Sequence, residues 1–124
     1  MKTMLFLGYP SCSTCKKAQQ WLAAHGIDVP MRDIKNDNPH AAELKKWHEQ
    51  SNLPIKKFFN TSGLKYKQLG LKDKLSAMTL DEQYELLASD GMLVKRPLII
   101  TDDAVLIGFR EKEWSDNLLA EGEK

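Results

Sequence analysis

The sequence predicts an α/β fold: a four-stranded mixed sheet with helices packed on it and a helical insertion in mid-chain. Three observations carry this reading. An apolar strand-like run passes directly into a helix-like one near the start, and amphipathic helical pieces fill the middle. Two apolar runs separated by Asp102–Asp103 then precede a last helix. The opening strand–helix–strand order implies a parallel pair, and the closing hairpin implies an antiparallel one.

Taken in order, "KTMLFLGY" is too short and too continuously apolar for an amphipathic helix, and it reads as a buried strand. From Ser13 to His25 the pattern becomes helical, with Cys15, Ala18, Leu22 and His25 on one stripe and Gly26 placed to end it in the left-handed region. "IDVPMRDI" reads as a second strand, and Pro30 within it calls for an edge position or a bulge. In "NDNPHAAELKKWHEQSN", Asn38 is the expected N-cap and Pro39 the first helical residue.

Short amphipathic pieces follow from Leu53 to Leu75, broken by Gly63 and Gly70. "TLDEQYELLAS" begins with a capping box, Thr79 with Glu82, and Gly91 is expected to stop it. "PLIIT" and "AVLIG" form the hairpin, and a terminal helix runs through Trp114 and Leu118. Trp21, Trp47 and Trp114 sit at helical spacing with leucine neighbours and read as core or core-edge residues.

The 124 residues fit one domain, 1–124, with the helical insertion at about 37–91. Apolar residues at 42% and charged residues at 28% mark a soluble globular composition. A net charge of +1 gives no support to electrostatic nucleic-acid binding. No window approaches the roughly 20 apolar residues of a membrane span, and the start lacks a signal-peptide core. The expected compartment is the cytoplasm and the expected state a monomer. A permanent structural disulfide does not suit that compartment.

The chemistry centres on "YPSCSTCKKAQQWL", which holds the chain's two cysteines, Cys12 and Cys15. Residues three apart at a helix start share a face and suit the Cα spacing of a disulfide, about 5.5 Å. Cys12 falls where unsatisfied N–H groups and the helix dipole stabilise a thiolate. A CxxC after a strand in a βαβ unit is a redox signal. Two other readings stand beside it. A zinc site would need two further ligands, and His25, His40 and His48 show no ligand-like spacing, so no metal or cofactor is expected. Two small core residues are the remaining reading, which suits Cys15 better than Cys12. Arg96–Pro97 opens the third strand, and Pro97 is either a candidate cis proline facing Cys12 or an ordinary strand-initiating proline.

Together "YPSCSTCKKAQQWL", "FFNTSGLKYKQLGL", "ASDGMLVKRPLII" and "LIGFREKEW" resemble the arsenate reductase-related proteins, a thioredoxin-like family that includes the Spx and MgsR regulators. Within it the chain is most like the small YusI-type proteins of Gram-positive bacteria. The resemblance implies a thioredoxin-like (glutaredoxin-like) sheet with an inserted helical subdomain. It implies Cys12 as nucleophile and Cys15 as the resolving thiol, with Arg96 and Arg110 as electrostatic supports. In the reductases that use glutaredoxin, three arginines surround the nucleophile. The third position is Asn60 here, with Lys56 and Lys57 a turn before it. Asparagine cannot replace a bidentate guanidinium, which argues against arsenate as substrate.

The expected function is therefore a thiol–disulfide oxidoreductase. Its partner would be a thiol electron donor (thioredoxin, glutaredoxin or a low-molecular-weight thiol) or a disulfide substrate. The alternative is a redox-sensing regulator that binds the RNA polymerase α subunit. A glycine used for that contact in the regulators falls at Pro54, which lacks an N–H. Neither reading involves direct nucleic-acid binding or a membrane.

Overall fold

A computed structural model describes residues 4–119. The chain divides into two compact units, Met1–Arg32 with Arg96–Lys124, and Asp33–Lys95. The second unit is a few residues wider at each end than the expected insertion.

β1 (Met4–Gly8), β2 (Met31–Asp33), β3 (Leu98–Thr101) and β4 (Val105–Ile107) form a four-stranded mixed sheet in the order β2-β1-β3-β4, all of it but Asp33 within the first unit. β1 pairs antiparallel with β3, from Met4 opposite Thr101 to Leu7 opposite Leu98, and β3 pairs antiparallel with β4. Lys2 and Thr3, with which the first strand was expected to open, lie outside the described residues. β2 is an edge strand and starts only after Pro30, since proline offers no N–H to a ladder. The strand expected over "IDVPMRDI" is thus shortened, and Ile27 and Val29 instead pack against the core.

The core of this unit is Phe6, Ala18, Leu22, Ile99, Leu106 and Trp114. Trp114 is fully buried in α6 (Glu111–Leu118), edge-on to Phe6, Trp21 and Phe109, and its indole N–H donates to the Gly108 carbonyl at 3.0 Å. Such edge contacts add to the area the rings bury. α1 (Ser13–Ala24) turns Cys15, Ala18 and Leu22 inward. It ends as the glycine implied: Gly26 has φ +72°, its N–H donates to Ala23, and the Ile27 N–H donates to Leu22 at 2.9 Å. That pair of bonds closes a Schellman motif. The β3–β4 turn is held by Thr101, whose hydroxyl accepts from the N–H groups of Asp103 and Ala104.

The second unit holds α2 (Ala41–Ser51), α3 (Leu64–Gln68), α4 (Leu71–Lys74) and α5 (Leu80–Ser89), with short 3-10 turns between them. Leu44 and Trp47 of α2 and Tyr84 and Leu87 of α5 supply its buried faces, and His48 Nδ1 and the Tyr84 hydroxyl hydrogen-bond at 2.6 Å. Thr79 and Glu82 form the expected capping box on α5.

The start of α2 differs from expectation. Its N-cap is His40, whose N–H donates to Glu43, while the Asn38 amide donates to the Ala88 carbonyl. The box around Glu43 sets the start, and Asn38 is drawn to a distant partner instead. Gly91 does not cap α5 either. Asp90 follows the helix, and Gly91 opens a 3-10 turn whose Met92 N–H the Asp90 carboxylate accepts at 2.9 Å.

Gly91 is needed for close approach. A β-carbon there would stand 1.6 Å from the backbone oxygen of Ile34. Gly91→Ala is expected to lower unfolding stability by about 3 kcal/mol or more, because backbone, not a flexible side chain, is in the way. A urea midpoint equal to wild type would contradict this packing.

Candidate functional site

The site grows from the end of β1. Gly8 is buried, and a β-carbon on it would lie 3.2 Å from Cys15 Sγ and 3.1 Å from Met31 Sδ. Its lack of a side chain lets the first turn of α1 lie against the strand end. The chain then turns through Tyr9, Pro10 and Ser11, closed by a Cys12 N–H to Tyr9 carbonyl bond of 2.9 Å. Cys12 is the N-cap of α1 in extended conformation (φ −82°, ψ 120°), and its carbonyl accepts the first helical bond, from Lys16, at 3.0 Å.

One turn in, Cys15 is fully buried, and its sulfur accepts the Tyr9 N–H at 3.4 Å. Cys12 is half-buried, and both residues are free cysteines. Arg96 joins this group because β3 runs beside β1. Its guanidinium carbon lies 5.8 Å from the centroid of the Tyr9 ring, within cation–π range. The Arg96–Pro97 bond is cis.

These placements set the two thiols apart. Burial pushes the Cys12 thiol up, but it is outweighed by the Cys15 N–H, the Cys15 thiol, the Thr14 N–H and the Arg96 charge, so its pKa lies below the ordinary 9.0. Cys12 makes no cap hydrogen bond of ordinary geometry, so its thiolate is favoured by approaching dipoles rather than by a closed cap. Cys15 goes the other way. Burial pushes it up to about 12, with the Tyr9 N–H opposing and the neighbouring Cys12 adding to the rise. The two thiols are thus shifted in opposite directions, Cys12 down and Cys15 up.

The structure thus brings together Cys12, Cys15 and Arg96, with Pro97 next in the chain. Arg110 stands exposed at the N-cap of α6, and among the described residues no hydrogen bond or ion pair joins it to this group. Asn60 belongs to the second unit, where its N–H donates to Leu93 at 2.7 Å. Pro54 is exposed at the start of a 3-10 turn there. Among the described residues no group of three or more His, Cys, Asp or Glu side chains is placed to hold a metal ion. Sequence reasoning missed Gly8 and Tyr9. The one available signal was a glycine closing an apolar run four residues before a CxxC.

A thioredoxin-like sheet with a cysteine pair at the start of its first helix is the architecture of a thiol-redox fold. The ArsC family profile matches residues 7–117, and this chain belongs to the ArsC family. It is 50% identical over 115 residues to the uncharacterized protein YusI of Bacillus subtilis, covering 93% of this chain and 98% of that one. It is 31% identical over 110 residues to the regulatory protein MgsR of Bacillus subtilis, covering 89% of this chain and 86% of that one. Among solved structures, an ArsC family related protein from Bacteroides fragilis superposes with a TM-score of 0.87 at 54% identity, covering 91% of this chain and 95% of that one.

The raised Cys15 pKa has a consequence for alkaline stability. The unfolded chain gives up this proton near 9.0, the folded chain near 12, so the contribution is whole below pH 9 and is lost as pH rises toward 12. Between pH 8 and 11, wild-type stability from urea unfolding is expected to fall more steeply than that of Cys15→Ala, by at most about 1.4 kcal/mol per pH unit. Parallel slopes would show that Cys15 is not held protonated by the fold.

Proposed function

We propose that this chain is a cytosolic thiol–disulfide oxidoreductase of the ArsC family in which Cys12 is the nucleophile and Cys15 the resolving thiol. The observation that supports this best is the placing of two cysteines one helical turn apart in opposite environments, one half-buried at the N-cap and the other fully buried. No described helix is long and apolar enough to cross a membrane.

In the proposed cycle, the Cys12 thiolate attacks one sulfur of a substrate disulfide. A Cys12–substrate S–S bond forms, the substrate's own S–S bond breaks, and the leaving thiolate takes a proton. Once Cys12 is in the mixed disulfide its negative charge is gone, which removes one of the influences that hold Cys15 protonated. Cys15 then loses its proton and attacks Cys12. The substrate leaves as a dithiol, and the two electrons it gained come from the pair, now a Cys12–Cys15 disulfide. A thiol donor returns two electrons and two protons. Arg96 supports the Cys12 thiolate, and Arg110 is retained as a support on the family resemblance alone.

Diamide or peroxide is expected to convert the pair to an intramolecular disulfide that dithiothreitol reverses, as read by mass spectrometry. Cys12→Ser should abolish thiol reactivity at neutral pH, and Cys15→Ser should accumulate mixed disulfides. Two persistent free thiols in the oxidised wild type would overturn the proposal. With Asn60 in place of a third arginine, arsenate reduction should be weak or absent even with glutaredoxin and glutathione supplied. Robust arsenate turnover that Cys12→Ser abolishes would instead make arsenate the substrate.

The similarity to MgsR favours one second reading, in which the same pair is a redox switch on a regulator that docks on RNA polymerase. Pro54 counts against it, because a rigid residue without an N–H stands where the regulators place glycine. Retention of this chain by the immobilised C-terminal domain of the polymerase α subunit would favour the regulator, and its passage through would favour the oxidoreductase.

A further inference from the structure

We propose that Tyr9 is a positioning residue whose ring seats the Arg96 guanidinium where its charge reaches the Cys12 sulfur. The proposal rests on the reading of Cys12 as the reactive thiol. The backbone of Tyr9 is tied to both cysteines: its carbonyl accepts from the Cys12 N–H at 2.9 Å, and its N–H donates to Cys15 Sγ at 3.4 Å. Its ring is therefore built on a fixed base.

The β1–β3 register brings Arg96 to the same place. Leu7 pairs with Leu98, and continuing that antiparallel register two residues past the paired segment sets Tyr9 opposite Arg96. The guanidinium carbon then lies 5.8 Å from the ring centroid. An arginine side chain has several rotatable bonds, and a flat aromatic face on one side restricts where its charge can dwell. Arg96 is among the groups that favour the Cys12 thiolate. Lys16 and Lys17, the nearest other cations in sequence, are exposed on α1. The plainer alternative is that Tyr9 only covers the turn, in which case its ring could be exchanged for any apolar group.

The test is the pH dependence of Cys12 alkylation by iodoacetamide, resolved by peptide mass spectrometry, with folding checked by far-UV circular dichroism. Tyr9→Leu removes the ring and leaves the backbone hydrogen bonds. It is expected to raise the alkylation midpoint by roughly half a unit, and so to slow alkylation at pH 7 about threefold. Tyr9→Phe keeps the ring and should restore the wild-type midpoint. In an Arg96→Ala background, Tyr9→Leu should have no further effect. Tyr9→Gln serves as the ringless variant if Tyr9→Leu does not fold.

A wild-type midpoint in the ringless variant, with Arg96→Ala shifted upward, would overturn the role of Tyr9 and leave reactive Cys12 standing. A Tyr9→Leu shift that persists without Arg96 would also overturn it, because Tyr9 would then act on Cys12 directly. A wild-type midpoint at or above 9.0 would overturn both this inference and the reading of Cys12 beneath it.

Discussion

Gly8 carries no side chain, and the first turn of α1 occupies the space a side chain would take. Cys15 Sγ stands 3.2 Å from where a β-carbon would be, and its own β-carbon 3.3 Å. This close approach places Cys15 out of contact with water, and burial is what chiefly raises its pKa to about 12. Relative to the ordinary 9.0, that is on the order of 4 kcal/mol against the Cys15 thiolate. The same strand-to-helix junction puts Cys12 at the N-cap, where amide N–H groups and Arg96 outweigh its partial burial. One strand-to-helix junction thus holds two opposite thiol environments, and an alanine at position 8 would press on Cys15 and Met31.

The parts of the fold legible in the sequence are those where a single residue type answers a local backbone need. Gly26 takes positive φ and closes a Schellman motif, Thr79 and Glu82 cap α5, and Asp102–Asp103 turn a hairpin that Thr101 ties. The failures come where a residue's partner is distant in the chain. Asn38 looks like an N-cap, but its amide is taken by Ala88, fifty residues away, and the cap passes to His40. Gly91 looks like a helix stop, but it is required by the approach of the Ile34 carbonyl. Local chemistry cannot announce such contacts.

The site follows the same division. Cys12 and Cys15 are readable because a CxxC at a strand–helix junction carries its own chemistry, and Arg96 because it precedes a proline at a strand start. Tyr9 was not readable. Its importance lies in two local backbone hydrogen bonds to the cysteine pair and one ring contact, and the ring contact exists only once β3 is laid beside β1. Family membership adds the class of chemistry, and Asn60 stands where the resemblance to the reductases implies a third arginine.

The asymmetry of the thiols can be read without any substrate. Cysteine labelled with carbon-13 at Cβ reports ionisation by its chemical shift, one signal per residue, across a pH titration of the reduced protein. Two separated transitions are expected, Cys12 below 9.0 and Cys15 protonated until the pH nears 12. Overlapping transitions near 9.0, or Cys15 ionising first, would contradict the assignment of nucleophile and resolving thiol.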